Sequence, residues 1–255
     1  MPSLLHYREF PPGPCLAGSV ECFWASTVSP ASRTAFSHQV LPDGCMDLLF
    51  NFRAGDGRRA SVIGTMIRPR TFTAIGPVDL FGVRFRPGGL AAYVALEADE
   101  LVDAQVDLAN FWGPLAQEVW HRLGEATSAD RVRLLQEVLR ARANGGPQTD
   151  PFVRHCVSRI EAARGWLRIG DLEKSTGLSA RQLERKFARH LGISPKTFAR
   201  VIRFKGVMAA ADRPDTPDWV GLAGDFGFAD QPHLVREFKT FSGLTPVEYR
   251  NAASA

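Results

Sequence analysis

The chain contains one helical unit twice, and this repeat constrains its fold more than any other feature. Residues 177–200 read GLSARQLERKFARHLGISPKTFAR, and residues 227–250 read GFADQPHLVREFKTFSGLTPVEYR. A shift of 50 to 51 residues aligns two glycines of each stretch, together with Leu, Phe and Pro positions at helical spacing. A helix that ends at glycine before a second, capped helix is typical of a helix–turn–helix unit. The repeat therefore predicts two copies of that unit.

Local signals place the helices of each copy. In the first copy, Ser179 and Gln182 form a capping-box pattern, which predicts a helix over residues 179–191. In the second copy, Asp230 is the expected cap of a helix over residues 230–241.

The stretch between the copies predicts one long helix. Residues 195–211 begin with a capped proline and run for about 16 helical residues, roughly 24 Å at 1.5 Å per residue. Successive major-groove openings on one face of DNA lie roughly 34 Å apart, so a rigid linker of this order suits two DNA-reading elements. Arg203 on this helix is expected to contact phosphate or to lie on the solvated surface, and the alternative is a pair with an acidic residue that braces the helix.

The net charge is divided unevenly along the chain. Residues 1–149 carry 14 Lys/Arg against 15 Asp/Glu, whereas residues 150–255 carry 17 against 12, so the basic surplus lies in the second half. Within it, residues 168–205 hold ten basic against three acidic residues, and residues 215–250 hold three against six. Phosphate neutralisation supplies most non-specific affinity for DNA. We therefore expect the first copy to dominate DNA binding.

The first half of the chain has sequence patterns typical of short antiparallel strands. In CMDLLFNF, residues 45–52, apolar side chains recur at every second position, as in a half-buried strand. LFGVRFRPGG, residues 80–89, alternates Phe and Val with Arg and ends in a Pro-Gly-Gly turn. With SVIGTMI (61–67) and RTFTAIG (70–76), these runs predict a small antiparallel β-barrel or sandwich.

Helical patterns follow this β-rich part. A short helix is predicted over residues 89–96, and amphipathic helices are predicted over residues 111–126 and 128–143. These two helices are expected to cover the barrel, with a dimer contact as the alternative. The polar stretch NGGPQTDP, residues 144–151, is the candidate domain boundary.

The sequence therefore predicts a multidomain α+β protein. Residues 1–145 are expected to form a sensor or dimerisation domain, a small antiparallel β-barrel or sandwich with appended helices at about 89–143. Residues 150–255 are expected to form an all-α DNA-binding domain with two helix–turn–helix units. Trp166 and Trp219 are expected in its core.

The repeated residues also carry a family resemblance. LSARQLERKFARHLGISPKTFAR followed by GFADQPHLVREFKTFSGLTPVEYR resembles the double helix–turn–helix domain of the AraC/XylS transcription regulators over residues 152–250. The resemblance implies seven helices, the third and sixth of which enter adjacent major grooves; here these are residues 179–191 and 230–241. Arg168 departs from the family pattern, which often places a capping Ser or Thr there. The stretch from PDGCMDLLF to the predicted helices before residue 144 resembles the sensor region of a subgroup without a known ligand.

The residues expected to touch DNA lie on the outer sides of the two DNA-facing helices and at the start of the linker helix. Arg and Gln side chains can read guanine and adenine edges through paired hydrogen bonds, and other basic side chains contact phosphate. The expected set is Ser179, Ala180, Arg181, Gln182, Arg185, Arg189 and Lys196 in the first copy and Asp230, Gln231, His233, Arg236 and Lys239 in the second. The alternative is solvated helix surface, with His233 packing at the helix start and Arg236 in a structural ion pair.

Candidate effector-binding residues in the first half are guesses from residue type. They are Trp24, His38, Asp47, Arg84 and Trp112. Ordinary core and surface positions are the alternative interpretation. No metal site or cofactor is expected, because structural zinc needs four convergent ligands. The chain also lacks a phosphate-binding glycine loop, a G-x-S-x-G elbow and an H-E-x-x-H motif.

The sequence favours a sequence-specific bacterial transcription regulator rather than an enzyme. Its four cysteines form no C-x-x-C pair and predict reduced thiols in a cytoplasmic protein. The expected partner is double-stranded DNA. A small-molecule effector, RNA polymerase and a second copy of the chain are further possible partners, and no membrane contact is expected. Two other hypotheses stay open: a barrel enzyme acting on a small molecule with a regulatory helical domain, and a constitutive DNA-binding dimer without an effector.

Overall fold

The structure is a computed structural model in which a β-rich part is followed by helices, and the predicted fold class is confirmed. It describes residues 5–28, 35–53, 58–143, 150–213 and 217–253. Residues 144–149, most of the predicted domain boundary, lie outside the described residues.

The described β structure consists of eight antiparallel strands. They are β1 (Leu5–Phe10), β2 (Val20–Val28), β3 (Ala35–Val40), β4 (Met46–Asn51), β5 (Ala60–Ile63), β6 (Arg70–Ile75), β7 (Val78–Phe85) and β8 (Gln105–Asp107). Six of them form one sheet in the order β1-β2-β7-β4-β5-β8, and β3 pairs with β6 in a separate two-stranded sheet.

The large sheet has two different faces. In β4, Met46, Leu48 and Phe50 are buried and point to one side, as the alternation at 45–52 predicts. This face packs against the helices that follow the sheet and forms the core of the N-terminal part. The opposite face carries a smaller apolar cluster that includes Trp24 and Leu80, against which Phe72 of β6 packs. The second sheet therefore partly covers this smaller face.

Three α-helices follow the sheet, and two helix predictions need correction. The helices are α1 (Ala109–Trp112), α2 (Pro114–Gly124) and α3 (Ser128–Ala143). The single helix predicted over 111–126 is interrupted at Gly113, which has φ 58°, and Pro114 starts α2 because proline cannot continue a preceding helix. The helix predicted over 89–96 is a single 3₁₀ turn, Gly89–Ala92.

Helices α2 and α3 cover the inner face of the sheet. Val119, Leu123 and Leu135 are fully buried in the core cluster. Arg131 of α3 is also buried, and its guanidinium donates two hydrogen bonds to Asp79, at 2.7 and 3.0 Å. This paired geometry compensates the burial of the charge.

Seven α-helices form the described C-terminal part, as predicted. They are α4 (Pro151–Ala162), α5 (Ile169–Thr176), α6 (Ala180–Leu191), α7 (Pro195–Ala211), α8 (Trp219–Asp225), α9 (Gln231–Ser242) and α10 (Pro246–Ala253). Each helix–turn–helix unit has its own apolar core, and α7 contributes to both, with Phe198 in the first and Phe204 in the second. The long linker helix therefore joins the two units by packing as well as by chain connection.

The N-terminal part packs directly against both units. Ile67 and Val102 lie against the core of the first unit, and Leu41 lies against the core of the second. The Phe198 ring approaches Gly44 so closely that a Cβ there would lie 2.7 Å from it. Over the residues that the structure describes, no helix has the length and apolar character needed to cross a membrane.

Candidate nucleic-acid interface

Side-chain caps fix the start of α6, the helix predicted to face DNA in the first unit. The Ser179 hydroxyl accepts a hydrogen bond from the Gln182 backbone N–H, and the Gln182 Oε1 accepts one from the Ser179 N–H at 2.9 Å. Glu173 of α5 also accepts from the Ala180 N–H at 2.7 Å. The helix ends at Gly192, whose φ of 78° is left-handed. The capping box predicted from the sequence is therefore present.

The outer side of α6 is cationic. Leu183, Phe187 and Leu191 are buried, whereas Arg181 and Arg185 are exposed on the opposite side. Over the residues that the structure describes, neither arginine has an ion-pair partner within 4 Å. These are the guanidinium groups of α6 that can be offered to a ligand without breaking a protein contact.

Other residues of the predicted set in the first unit have protein partners or a different position. Gln182 is exposed, but its amide oxygen is already used by the capping box, which leaves its NH₂ group for a ligand. Arg189 is exposed and pairs with Glu97 of the N-terminal part, with 3.2 Å between Nε and Oε1. Lys196 is exposed on the first turn of α7.

In the second unit, α9 also begins at a side-chain cap, but it exposes fewer basic side chains than α6. The Asp230 carboxylate accepts from the His233 N–H at 2.7 Å and caps α9. His233 Nδ1 accepts from the Ala229 N–H at 3.4 Å, so the imidazole is engaged at the start of the helix. Gln231, Arg236 and Lys239 are exposed, as are all six polar residues of the set predicted in the first unit. The structure thus presents two basic side chains on α9.

Two arginines of α7 face a buried acid instead of solvent. Arg200 Nε lies 3.0 Å from Glu237 Oε2, and an Arg203 terminal nitrogen lies 3.2 Å from Glu237 Oε1. The interpretation of Arg203 as a brace that pairs with an acidic residue is therefore the one that the structure favours. Glu237 lies on the inner side of α9. Its burial could not be predicted from the repeat, because the shift of 51 residues aligns it with Lys186, and the core of the first unit contains no acid.

Trp166 was expected in the core, and this expectation is wrong. Its side chain is 66% exposed. The ring lies across the backbone of Gly227, where a Cβ would be 2.4 Å from the indole Cγ. The tryptophan therefore covers the turn of the second unit from outside. Trp219 is partly buried against the core of that unit.

Three of the five candidate effector residues lie together on the outer face of the large sheet. Asp47 of β4 is directly opposite Arg84 of β7, and Trp24 of β2 is opposite Gly82. Arg84 Nε lies 3.4 Å from Asp47 Oδ1 and 3.2 Å from an oxygen of Asp43. The Trp24 ring fills the space beside Gly82, where a Cβ would lie 2.5 Å from it. These side chains are closely packed, and Trp24 Nε1, Asp47 Oδ1 and Arg84 Nε are buried without a hydrogen-bond partner in the part of the chain that the structure describes.

Burial dominates the ionisation of this cluster. It raises the pKa of Asp47 to about 6, an effect that the neighbouring Arg84 opposes and Asp43 reinforces. Burial also raises the pKa of the Cys22 thiol to about 12, so this cysteine stays protonated at neutral pH.

The other two candidate effector residues lie elsewhere. His38 is exposed on β3 in the separate two-stranded sheet. Trp112 is buried in the main core, and its Nε1–H donates to the Tyr93 carbonyl at 3.1 Å. The described parts of the chain hold no group of three or more His, Cys, Asp or Glu side chains that could bind a metal ion.

Two family models match separate segments of the chain. Residues 172–252 match the family described as helix-turn-helix domain, and residues 8–107 match the domain of unknown function DUF6597. No curated protein sequence matches the chain.

Solved structures of ToxT from Vibrio cholerae are distantly similar to most of this chain. ToxT of strain O395 is 9% identical with a TM-score of 0.45, over 90% of this chain and 97% of that one. Wild-type ToxT of strain SCE256 with a bound unsaturated fatty acid is 9% identical with a TM-score of 0.43, over 89% and 94%.

The two capped units and the family match define the class of this protein. The C-terminal region is an AraC-type helix–turn–helix domain, and the N-terminal match fits a sensor-like domain. The helix-turn-helix match supports a DNA-binding transcription regulator.

Proposed function

We propose that the protein reads a specific DNA site by placing α6 and α9 in adjacent major grooves. The observation that carries this proposal is the pair of capped helices with exposed polar side chains, one on each side of a shared linker helix. Helix α7 has 17 residues and is therefore roughly 25 Å long. A spacer of this length suits two elements that follow successive grooves on one face of the duplex.

The first unit supplies the larger share of affinity. Arg181 and Arg185 are exposed on α6 without ion-pair partners among the described residues, and Lys196 is exposed nearby. The second unit offers Arg236 and Lys239 within a segment of net negative charge. Phosphate neutralisation provides most of the affinity for DNA. Helix α9 therefore contributes mainly to base reading and to the register of the protein on the duplex, and less to affinity.

The N-terminal part controls DNA binding through its contact with α6 and α7. A Cβ at Gly192 would lie 2.5 Å from the Ala98 carbonyl oxygen, and Arg189 pairs with Glu97. A small molecule or self-association that shifts the N-terminal part would therefore change how α6 is presented. Contact at the end of a DNA-facing helix supports this route of control.

The proposal is tested by selecting duplexes from a random pool with the full chain and mapping the bound sequence by hydroxyl-radical footprinting. We expect two protected patches about one helical turn apart on one face of the DNA. The double variant Arg181→Ala with Arg185→Ala should lose the patch that α6 protects. A single protected patch with the unaltered chain would contradict the proposal.

A further inference from the structure

Helix α9 carries a buried acid, Glu237. Its side chain is 7% exposed, although the helix that carries it is the one proposed to face DNA in the second unit. An ionised carboxylate is costly to bury unless charged partners compensate it. Glu237 has two such partners, Arg200 and Arg203, and both come from the linker helix α7.

Arg203 connects α7 to two elements of the second unit at once. One terminal nitrogen lies 3.2 Å from Glu237 Oε1, and the other donates to the carbonyl of Gly227 at 3.3 Å. Gly227 has a φ of 68° and forms the turn between α8 and α9. The same guanidinium lies over the Phe228 ring, 5.0 Å from its centroid. A single side chain of the linker therefore holds the turn and α9.

Arg200 adds a second, more exposed contact to the same acid. Its Nε lies 3.0 Å from Glu237 Oε2, and its guanidinium lies over the Phe241 ring at 5.3 Å. His233, one turn earlier on α9, approaches Glu237 Oε2 at 3.8 Å. These are the charged or titratable side chains that meet the carboxylate within 4 Å among the described residues.

A buried ion pair contributes little net stability compared with apolar side chains of the same volume, but its hydrogen bonds are directional. The surrounding core, with Phe204, Phe238 and Phe241, could be packed by apolar contacts alone. Apolar contacts tolerate small rotations of one helix against another, whereas the hydrogen bonds of Arg200 to Glu237 Oε2 and of Arg203 to the Gly227 carbonyl do not. The ion pair therefore restricts the orientation of α9 relative to α7.

We propose that Glu237 is a positioning residue that fixes α9 on the linker helix and thereby sets the spacing of the two DNA elements that the protein accepts. This inference rests on the proposed function, in which α6 and α9 read adjacent grooves. Because α7 also packs against the first unit through Phe198, its orientation relative to α9 determines where α9 meets the DNA. Glu237 itself makes no DNA contact.

The test measures spacing preference with the full chain. The duplex selected by the unaltered protein is compared with duplexes in which the spacing between the two protected patches is one base pair shorter or longer. Each added base pair rotates the second element by about a tenth of a turn. We expect the unaltered protein to prefer the selected spacing strongly. Glu237→Gln should lose about 10-fold in affinity for that spacing and prefer it only about 2-fold over the others.

Two further variants separate positioning from stability. Ala223→Gly weakens α8 in the same core without touching the ion pairs, so it should lower the melting temperature and keep the spacing preference. Arg200→Gln leaves the contact of Arg203 with Glu237 in place and should partly relax the spacing preference. This variant tests the positioning role even if Glu237→Gln does not fold.

An unchanged spacing preference in folded Glu237→Gln, or in Arg200→Gln if the first variant does not fold, would overturn the inference. If the unaltered protein protects a single patch, the proposed function itself fails and the inference fails with it.

Discussion

Arg189 Nε of α6 lies 3.2 Å from Glu97 Oε1 of the N-terminal part. Both side chains are more than half exposed, so the pair itself adds little to stability. Its effect is electrostatic, because a carboxylate at the end of a DNA-facing helix repels phosphate and occupies a guanidinium that could contact it. We expect Glu97→Gln to tighten binding to a selected duplex about 3-fold at low salt, and less at high salt.

The control for this prediction is Glu100→Gln, which removes an exposed acid from the 3₁₀ turn, Ala98–Leu101, that directly follows Glu97. The gain from Glu97→Gln should also disappear when Arg189 is replaced by Gln, which a double-mutant cycle measures. Equal gains from the two acidic substitutions would show that only the overall charge matters.

The two units should differ in their contribution to affinity. Arg185→Ala removes an exposed charge from the basic first unit, and Lys239→Ala removes one from the acidic second unit. At fixed salt, we expect a loss of about 10-fold for Arg185→Ala and about 2-fold for Lys239→Ala. Fluorescence anisotropy with one selected duplex measures both values. Losses of the same size would contradict the proposed asymmetry.

The glycines that end α5 and α6 form a matched pair for testing the contact between the two parts. Gly177 and Gly192 have φ values of 71° and 78°, so alanine is strained at both. A Cβ at Gly177 meets nothing within 4 Å, whereas a Cβ at Gly192 would lie 2.5 Å from the Ala98 carbonyl oxygen. We expect Gly177→Ala to lower the free energy of unfolding by about 1 kcal/mol, and Gly192→Ala by at least about 1 kcal/mol more.

Urea denaturation of the full chain measures this difference. Gly177→Ala serves as the control, since it carries the backbone strain without the collision. The packing of the N-terminal part against α6 would be contradicted if both variants lost the same amount.

Asp47 predicts a specific pH dependence of stability. Its pKa is raised from 3.8 to about 6 in the folded protein, chiefly by burial, so folding favours the protonated carboxyl. The favourable contribution is complete below about pH 4 and is lost as the pH rises through about 6. A shift of about 2 pKa units corresponds to roughly 3 kcal/mol. The free energy of unfolding of Asp47→Asn, relative to that of the unaltered protein, should therefore rise by up to that amount between pH 4 and pH 7.

The measurement is the free energy of unfolding of both proteins across this pH range. Asp99→Asn, which removes an exposed carboxyl of the N-terminal part, is the control and should run parallel to the unaltered protein. A constant difference between Asp47→Asn and the unaltered protein would refute the predicted burial effect.

The helices of the second half could be predicted because local chemistry marks their ends. Ser179, Ser194 and Asp230 each cap the helix that follows, and a glycine ends both α6 and α9. These signals act within a few residues, so they are readable in sequence.

Strand β2 shows what local patterns miss. Residues 20–28 are buried on both faces, with Phe23 in the main core and Trp24 in the smaller cluster. A strand buried on both sides loses the alternation that identifies strands in sequence. Strand β4 of the same sheet alternates clearly and was predicted.

Contacts between distant segments also could not be predicted from the sequence. Glu97 lies in the acidic run EADELVD, residues 97–103, which is visible in sequence but has no periodic relation to α6. Glu237 stands among exposed charges on α9, and only the position of α7 makes it a buried partner. The candidate effector residues were chosen one by one from residue type, and the pairing of Asp47 with Arg84 follows from a strand register that the sequence did not predict.

The apolar contacts of Leu41, Ile67 and Val102 with the two C-terminal cores have a practical consequence for dissecting the chain. These side chains fill surfaces of the helix–turn–helix units that a fragment beginning at residue 150 would expose to water. Such a fragment would expose apolar core surface to water and would aggregate on expression. Exchanging its DNA-reading half for that of a relative would require the three contact side chains to be exchanged along with it.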